Sequence, residues 1–331
     1  MVPPGHPGLT RRPRPRRGRF PMPRLAAAMR CLAAACALAA PLLACAETPA
    51  GEGRQAAKPQ SVAPARPARE AVREFDAEAL GAIFDRQGAL LRKALAGVAE
   101  SRPGVPEFFF VGFAGEAGED VFLNEARAAE DLFRRRFGAA GRTLVLANNL
   151  RTAKTLPMAS VPTLGLALSG IARKMGPEDV LFLYVASHGR QGRISVRYGR
   201  ANLPDLGGGE LRRMLDEAGI GNRVLALSAC YSGSLIAALR DAHTLIMTAA
   251  AHNRVSFGCG HDGPFTYFGR ALIGEALERE SSFPSAFRLA RGAIEKREKA
   301  EGFRPSHPQI FVGGAILPAL DAIGRRLSPA R

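Results

Sequence analysis

Short runs of consecutive apolar residues recur along the chain from residue 108 onward, and small or polar residues close each run. Apolar runs without alternation are typical of strands that are buried on both faces of a parallel sheet. Six strands are predicted in this way, at residues 108–115, 143–147, 179–186, 223–228, 244–248 and 309–312.

Between these runs, apolar residues recur at the spacing of amphipathic helices. In the first such segment Phe122, Ala126 and Phe133 fall on one face, and Gly138 is a stop signal. Further helices are predicted at residues 162–175, 211–218, 266–278 and 285–299. This alternation predicts an α/β fold, in which helices cover both faces of a mostly parallel sheet of about six strands.

A histidine and a cysteine follow the third and fourth predicted strands at the point where each strand ends. Ligands of such sheets bind beyond the carboxyl ends of the strands, so His188 and Cys230 share a site if their strands are neighbours. A cysteine attacks as a thiolate, which a nearby histidine or a helix such as the one predicted at residues 234–239 favours. The backbone N–H groups of Gly189 and Cys230 are candidates to bind an oxyanion. Taken singly, the two side chains also fit a buried free thiol and a hydrogen-bonded strand-end histidine.

The segments at residues 183–189 and 227–233 resemble the legumain-like cysteine peptidases of family C13, and the resemblance extends over residues 107–315. It implies a caspase-like three-layer sandwich, with His188 as general base, Cys230 as nucleophile and Gly189 in the oxyanion hole. It also implies that no cofactor or metal is needed. The same family includes a transamidase, which transfers the acyl group to an amine instead of water.

The chain departs from the legumain pattern at two places. Legumains carry an acid two residues before the nucleophile that helps to bind a substrate asparagine, whereas this chain has Ser228. The asparagine that orients the legumain histidine has no clear equivalent at residues 119–122, which leaves a backbone carbonyl as the alternative. Ser228 and Asp262, in the loop after the fifth strand, are the candidate residues of a substrate pocket. Peptidase chemistry is still expected, and the residue preferred before the scissile bond stays open.

The N-terminal region has the pattern of an export signal. An apolar run of about 16 residues at 31–46 follows a basic segment, which is short for a membrane span and typical of a signal peptide. A membrane anchor or a buried helix is the alternative. Residues 44–46 form an A-x-A cleavage site, whereas residues 42–45 resemble a lipobox, which implies lipidation of Cys45. The two cleavage sites stay open alternatives.

Composition divides the chain further. Residues 1–45 hold eight arginines and no acid, and so account for half of the net charge of +16. The remainder lacks a basic run interleaved with aromatic residues, which argues against nucleic acid as a partner. Residues 46–72 are rich in proline, alanine and charge and predict a flexible linker. Residues 73–331 are then the peptidase domain.

Together these features predict an exported cysteine endopeptidase that acts on peptide or protein substrates. Its predicted location is the periplasm, the outer membrane as a lipoprotein tethered through Cys45, or the medium as a secreted protein. Two alternatives remain, a transamidase with the same dyad and a catalytically silent binding module with the same fold. The presence of both His188 and Cys230 favours an enzyme.

Overall fold

Six strands form one mixed sheet in a computed structural model, which describes residues 77–199, 201–259 and 263–327. The order across the sheet is β6-β5-β4-β3-β1-β2, and every neighbouring pair is parallel except β5 and β6. The strands are β1 (Phe108–Ala114), β2 (Thr143–Ala147), β3 (Val180–Ala186), β4 (Arg223–Ser228), β5 (Thr244–Thr248) and β6 (Gln309–Val312). The six predicted strands and the mostly parallel sheet are confirmed.

Helices cover both faces of this sheet, because successive strand side chains point in opposite directions. On β1, Phe108 and Phe110 belong to one apolar layer, and Phe109, Val111 and Phe113 belong to the other. The helices are α1 (Ala77–Ala96), α2 (Asp120–Arg136), α3 (Val161–Ala172), α4 (Gly208–Glu217), α5 (Ile236–Leu239), α6 (Tyr267–Gly269), α7 (Phe283–Ala300) and α8 (Leu317–Leu327). Helices α2, α6, α7 and α8 contribute to the first layer, and α1, α3, α4 and α5 to the second. The molecule is therefore a three-layer α/β sandwich of the caspase-like kind.

The first apolar layer contains a cluster of phenylalanine rings. The ring of Phe133 on α2 lies 4.1 Å from that of Phe182 on β3 and 5.3 Å from that of Phe110 on β1, measured between centroids. Each fully buried ring contributes roughly 1.5–3 kcal/mol through the hydrophobic effect. These contacts fix α2 against the centre of the sheet, and the first turn of α2 reaches the carboxyl ends of the strands.

Several predicted helices differ in length or type from the structure. The helix predicted at residues 162–175 ends at Ala172, and the one predicted at residues 266–278 consists of α6 followed by a π-helix, Arg270–Ala276. The helix predicted at residues 234–239 is a 3₁₀ turn, Ser232–Leu235, followed by the four residues of α5.

The segment between β3 and α4 forms short antiparallel strands that the sequence pattern did not predict. Gly189–Arg190 pairs with Arg193–Ile194, which in turn pairs with Leu206–Gly207. Each of these strands has two residues, which is too short to show a hydrophobic period. This small sheet extends directly from His188.

The predictions for residues 1–45 and 46–72 lie outside the described residues, as does the start of the domain predicted at residues 73–331. Helix α1 opens the described part at Ala77. Within that part, every helix is too short or too polar to cross a membrane.

Candidate active site

Strand register places His188 and Cys230 side by side. Strands β3 and β4 pair in parallel with Ala186 opposite Ser228. Each candidate residue lies two positions beyond this pair, so the two leave the sheet at the same edge. Neighbouring strands lie about 4.8 Å apart. Strand side chains alternate between the two faces of a sheet, so both residues fall on the same face as Ala186. Ala186 packs in the apolar layer that contains α2. The third and fourth strands are thus neighbours, which is the condition under which the two residues share a site.

Gly189 packs directly against the backbone of Cys230. A Cβ atom at Gly189 would overlap the carbonyl oxygen of Cys230 and would lie 3.0 Å from the Cβ of Ala229. Since the obstacle is backbone, it cannot rotate away. Only glycine allows this close approach of the two strand ends.

The ring of His188 contacts two residues at the start of α2. Phe122 packs edge-on against it, with 5.1 Å between ring centroids, and the Oε1 atom of Glu119 lies 3.4 Å from its Nε2 atom. The other carboxylate oxygen of Glu119 is buried and has no hydrogen-bond partner within the described residues. Asp120 anchors this turn by accepting from Asn149 and pairing with Arg151, each at 2.8 Å. The sequence did not predict an orienting residue at positions 119–122, because the residue in this role in legumains is an asparagine.

The thiol of Cys230 faces the loop that follows β5. Its Sγ accepts a hydrogen bond from the backbone N–H of Ser256 at 3.3 Å and lies 3.6 Å from the Ser256 carbonyl oxygen. Among the described residues, Ser256 alone makes hydrogen bonds with this sulfur, and the ring of His188 makes none. Such contacts are often long before substrate binds. The sequence carries no signal for Ser256, because its role depends on the path of a loop.

The residue after Cys230 has an unusual backbone conformation. Tyr231 has φ of 57°, in the left-handed region that non-glycine residues rarely adopt. Its N–H donates to the carbonyl oxygen of Arg254 at 2.7 Å, and its carbonyl oxygen accepts from the N–H of Ser234 at 2.9 Å. These bonds hold a tight turn that ends β4 and presents Cys230 at the edge of the sheet.

Ser228 lies beneath the site and not on its open surface. It is 2% exposed, and its hydroxyl group donates to the Oε2 atom of Glu125 at 3.0 Å. The structure thus places this candidate pocket residue in a buried polar cluster. The other candidate pocket residue, Asp262, and the candidate lipidation site, Cys45, lie outside the described residues.

The second free cysteine has a different environment from Cys230. Burial raises the pKa of Cys259 to about 12, and nearby acidic groups add to this effect. A thiol with so high a pKa stays protonated at neutral pH and is a poor nucleophile. The described residues contain no group of three histidine, cysteine or acidic side chains that could hold a metal ion.

An α/β sandwich with histidine and cysteine at the ends of adjacent parallel strands is the arrangement of the caspase-like cysteine peptidases. Residues 165–317, which include both side chains, match the family model of the peptidase C13 family. The match supports the C13 family for this part of the chain, as the resemblance implied, and that family comprises cysteine peptidases and related transamidases. The match begins after β1, α2 and β2. No curated protein matches the chain significantly.

Proposed function

We propose that this protein is a cysteine endopeptidase, in which Cys230 is the nucleophile and His188 the general base. The proposal is supported above all by the shared register of the two residues beyond the Ala186–Ser228 pair and by the contact of Gly189 with the Cys230 backbone. No cofactor is needed, because a thiolate and an imidazole supply the nucleophile and the proton transfer.

In the proposed reaction, the Cys230 thiolate attacks the carbonyl carbon of the scissile peptide bond. The N–H groups of Gly189 and Cys230 stabilise the resulting oxyanion. The imidazolium of His188 then donates its proton to the departing amine, which leaves an acyl-enzyme. Finally, His188 takes a proton from a water molecule, and this water hydrolyses the thioester and restores the thiol. If an amine replaces water in that step, the same residues carry out transamidation.

We assign to Glu119 the role of orienting His188. A carboxylate beside one ring nitrogen fixes the orientation of the imidazole, which passes the proton to the leaving group. Glu119 is suited to this role because its turn is anchored by Asn149 and Arg151 through Asp120. In this chain the acid just before α2 would therefore do the work that an asparagine does in legumains.

A second candidate function is a silent binding module with the same fold. One observation favours it, namely that the Cys230 sulfur is hydrogen-bonded to Ser256 and not to His188. A binding module has no need of a reactive thiol, so measurements on the thiol separate the two functions.

The test is hydrolysis of a peptide library varied at the residue before the scissile bond. We expect the protein to hydrolyse peptides, and we expect Cys230→Ala and His188→Ala each to abolish this activity. Glu119→Gln is expected to lower kcat about tenfold or more. Cys259→Ala is the matched control and is expected to keep full activity, because its thiol is partly buried and its high pKa keeps it protonated. Turnover that persists in Cys230→Ala would contradict the mechanism. No turnover, together with ordinary reactivity of Cys230 towards iodoacetamide, would favour the binding module.

A further inference from the structure

A buried acid on α2, Glu125, has no part in the mechanism above. Its side chain is completely buried, and burial raises the pKa of its carboxyl group. Its Oε2 atom accepts hydrogen bonds from the hydroxyl groups of Tyr184 and Ser228, both at 3.0 Å. Its Oε1 atom accepts from the backbone N–H of Thr266 at 2.5 Å. Burying an acid is costly unless its oxygens find donors, and here three donors converge on one carboxyl group.

The three donors come from the three segments that form the active site. Tyr184 lies on β3, four residues before His188, and Ser228 lies on β4, two residues before Cys230. Thr266 closes the loop that follows β5 and caps α6. One carboxyl group therefore links both catalytic strands to the loop that contacts the thiol.

This loop leads back from Thr266 to the sulfur of Cys230. The next residue, Tyr267, donates its N–H to the carbonyl oxygen of Phe257 at 3.0 Å. Phe257 adjoins Ser256, whose N–H donates to the Cys230 sulfur at 3.3 Å. The chain itself closes the path, since Ser228 is the last residue of β4 and Cys230 lies two positions after it. Hydrogen bonds and short stretches of chain thus form a ring through Glu125 and the thiol.

Packing confines Glu125 to this position. A Cβ atom at Gly269 on α6 would overlap the Glu125 carboxylate, so the helix approaches the acid as closely as a glycine permits. Gly269 also donates its N–H to the hydroxyl oxygen of Thr266 at 3.0 Å. The acid is thereby held from both the strand side and the helix side.

We propose that Glu125 is a positioning residue, which holds the Ser256 N–H against the sulfur of Cys230 and so sets the reactivity of this thiol. The proposal deepens the proposed function, because it assigns Cys230 as the reactive thiol. A hydrogen-bond donor aimed at the sulfur stabilises the thiolate. If the ring is opened at Glu125, the loop loses its anchor and the donor moves away from the sulfur.

The experiment measures the alkylation of Cys230 by iodoacetamide in the full chain, between about pH 6 and 10, by mass spectrometry of the peptide that contains Cys230. For Glu125→Ala we expect the rate at neutral pH to fall about tenfold and the midpoint of the pH profile to rise by about one pH unit, as the loss of one good hydrogen bond predicts. Glu125→Gln keeps an acceptor for Thr266 and is expected to stay within about twofold of the unchanged protein.

Two further variants keep the test decisive if Glu125→Ala does not fold, as judged by circular dichroism. Ser228→Ala removes one donor, and Gly269→Ala displaces the carboxyl group without deleting any hydrogen-bonding group. We expect both to shift the midpoint in the same direction. Folded variants whose Cys230 profile is unchanged would overturn the proposal. Because alkylation does not require turnover, this result is independent of whether the protein cleaves peptides.

Discussion

At the scale of single residues, the site is built by backbone contacts around Cys230. Tyr231 occupies a left-handed conformation, and Gly189 lies where any side chain would meet the Cys230 carbonyl. Unfavourable conformations of this kind cost about 1–3 kcal/mol and persist only where the surroundings hold them in place. The thiol is thus presented by a turn that is less stable locally than an ordinary loop.

The contact at Gly189 predicts a large effect of one added methyl group. Gly189→Ala forces the two strand ends apart, because the nearest obstacle is the carbonyl group of Cys230 and not a flexible side chain. We expect kcat/KM to fall at least about 100-fold, since displacements of about 1 Å in a catalytic group have effects of this size. Steady-state hydrolysis of the best library peptide measures it.

Gly209→Ala is the matched control for this substitution. Gly209 lies on α4, and a Cβ atom there meets no other atom within 4 Å. Alanine also has a higher helix propensity than glycine, so we expect unchanged activity and equal or greater stability of the protein. A Gly189→Ala protein with normal kcat/KM would show that the two strand ends do not need this close approach.

Residue types explain which parts of the site could be predicted. His188 and Cys230 follow predicted strands, so their chemistry and position were both visible in the sequence. Ser256 acts through its backbone N–H, which every residue except proline carries, and so no pattern marks it. Glu119 is one of 30 acidic residues, and its role depends on how α2 begins relative to β3.

At the scale of elements, α2 and the residue before it place three side chains around the site. Helix α2 supplies Phe122 beside the histidine and Glu125 beneath the cysteine, and Glu119 immediately precedes it. The helix itself was predicted from its apolar spacing, but its three polar and aromatic contacts were not. Apolar periodicity identifies which face of a helix is buried, but it does not predict that an acid lies within that buried face.

The opposite end of the sheet depends on a buried ion pair. Glu107, just before β1, is fully buried and lies 2.8 Å from the guanidinium group of Arg142. Burial alone would raise the pKa of this carboxyl group, but hydrogen bonds from Arg102 and the charge of Arg142 outweigh burial and lower the pKa below 4.5.

We expect Glu107→Gln to lower the free energy of unfolding by about 2 kcal/mol at neutral pH, because it leaves Arg142 buried without a countercharge. A carboxyl group whose pKa is lowered by folding stabilises the protein above its unfolded pKa and loses this contribution as pH falls. The difference between the two proteins should therefore shrink below about pH 4. Urea denaturation at the two pH values measures it.

Glu278→Gln is the comparison for this prediction. Glu278 pairs with Arg135 at 2.8 Å, but both side chains are exposed to solvent. Exposed pairs contribute little to stability. If Glu278→Gln and Glu107→Gln destabilised the protein equally at neutral pH, burial would not be the reason for the effect of Glu107.

At the scale of the whole molecule, the two ends of the sheet have different tasks. The carboxyl ends of β3 and β4 carry the proposed catalytic residues, whereas the opposite end holds the ion pair of Glu107. Length, composition and the alternation of apolar runs were enough to predict this architecture. They were not enough to predict the short strands after His188, because those are held by contacts with the rest of the fold and not by their own pattern.

The proposed export of the protein predicts a shortened mature chain. When the full sequence is expressed in a bacterium with an outer membrane, we expect cleavage before Cys45 with lipid attached, or after Ala46 without it. The intact mass distinguishes the two products, and Cys45→Ala should release the protein from the membrane fraction in the first case only. A mass that corresponds to all 331 residues would contradict export.

The pairing of Ala186 with Ser228 has a consequence for how such a chain can vary. Each proposed catalytic residue lies two positions beyond this pair, so its place is set by its distance along the chain from the sheet. Many substitutions around the site leave this two-residue distance unchanged. The insertion or deletion of one residue between this pair and either side chain changes that distance and turns the side chain to the other face of the sheet. Natural variation of the site should therefore appear as changes of residue type, while the length of both strand ends stays constant.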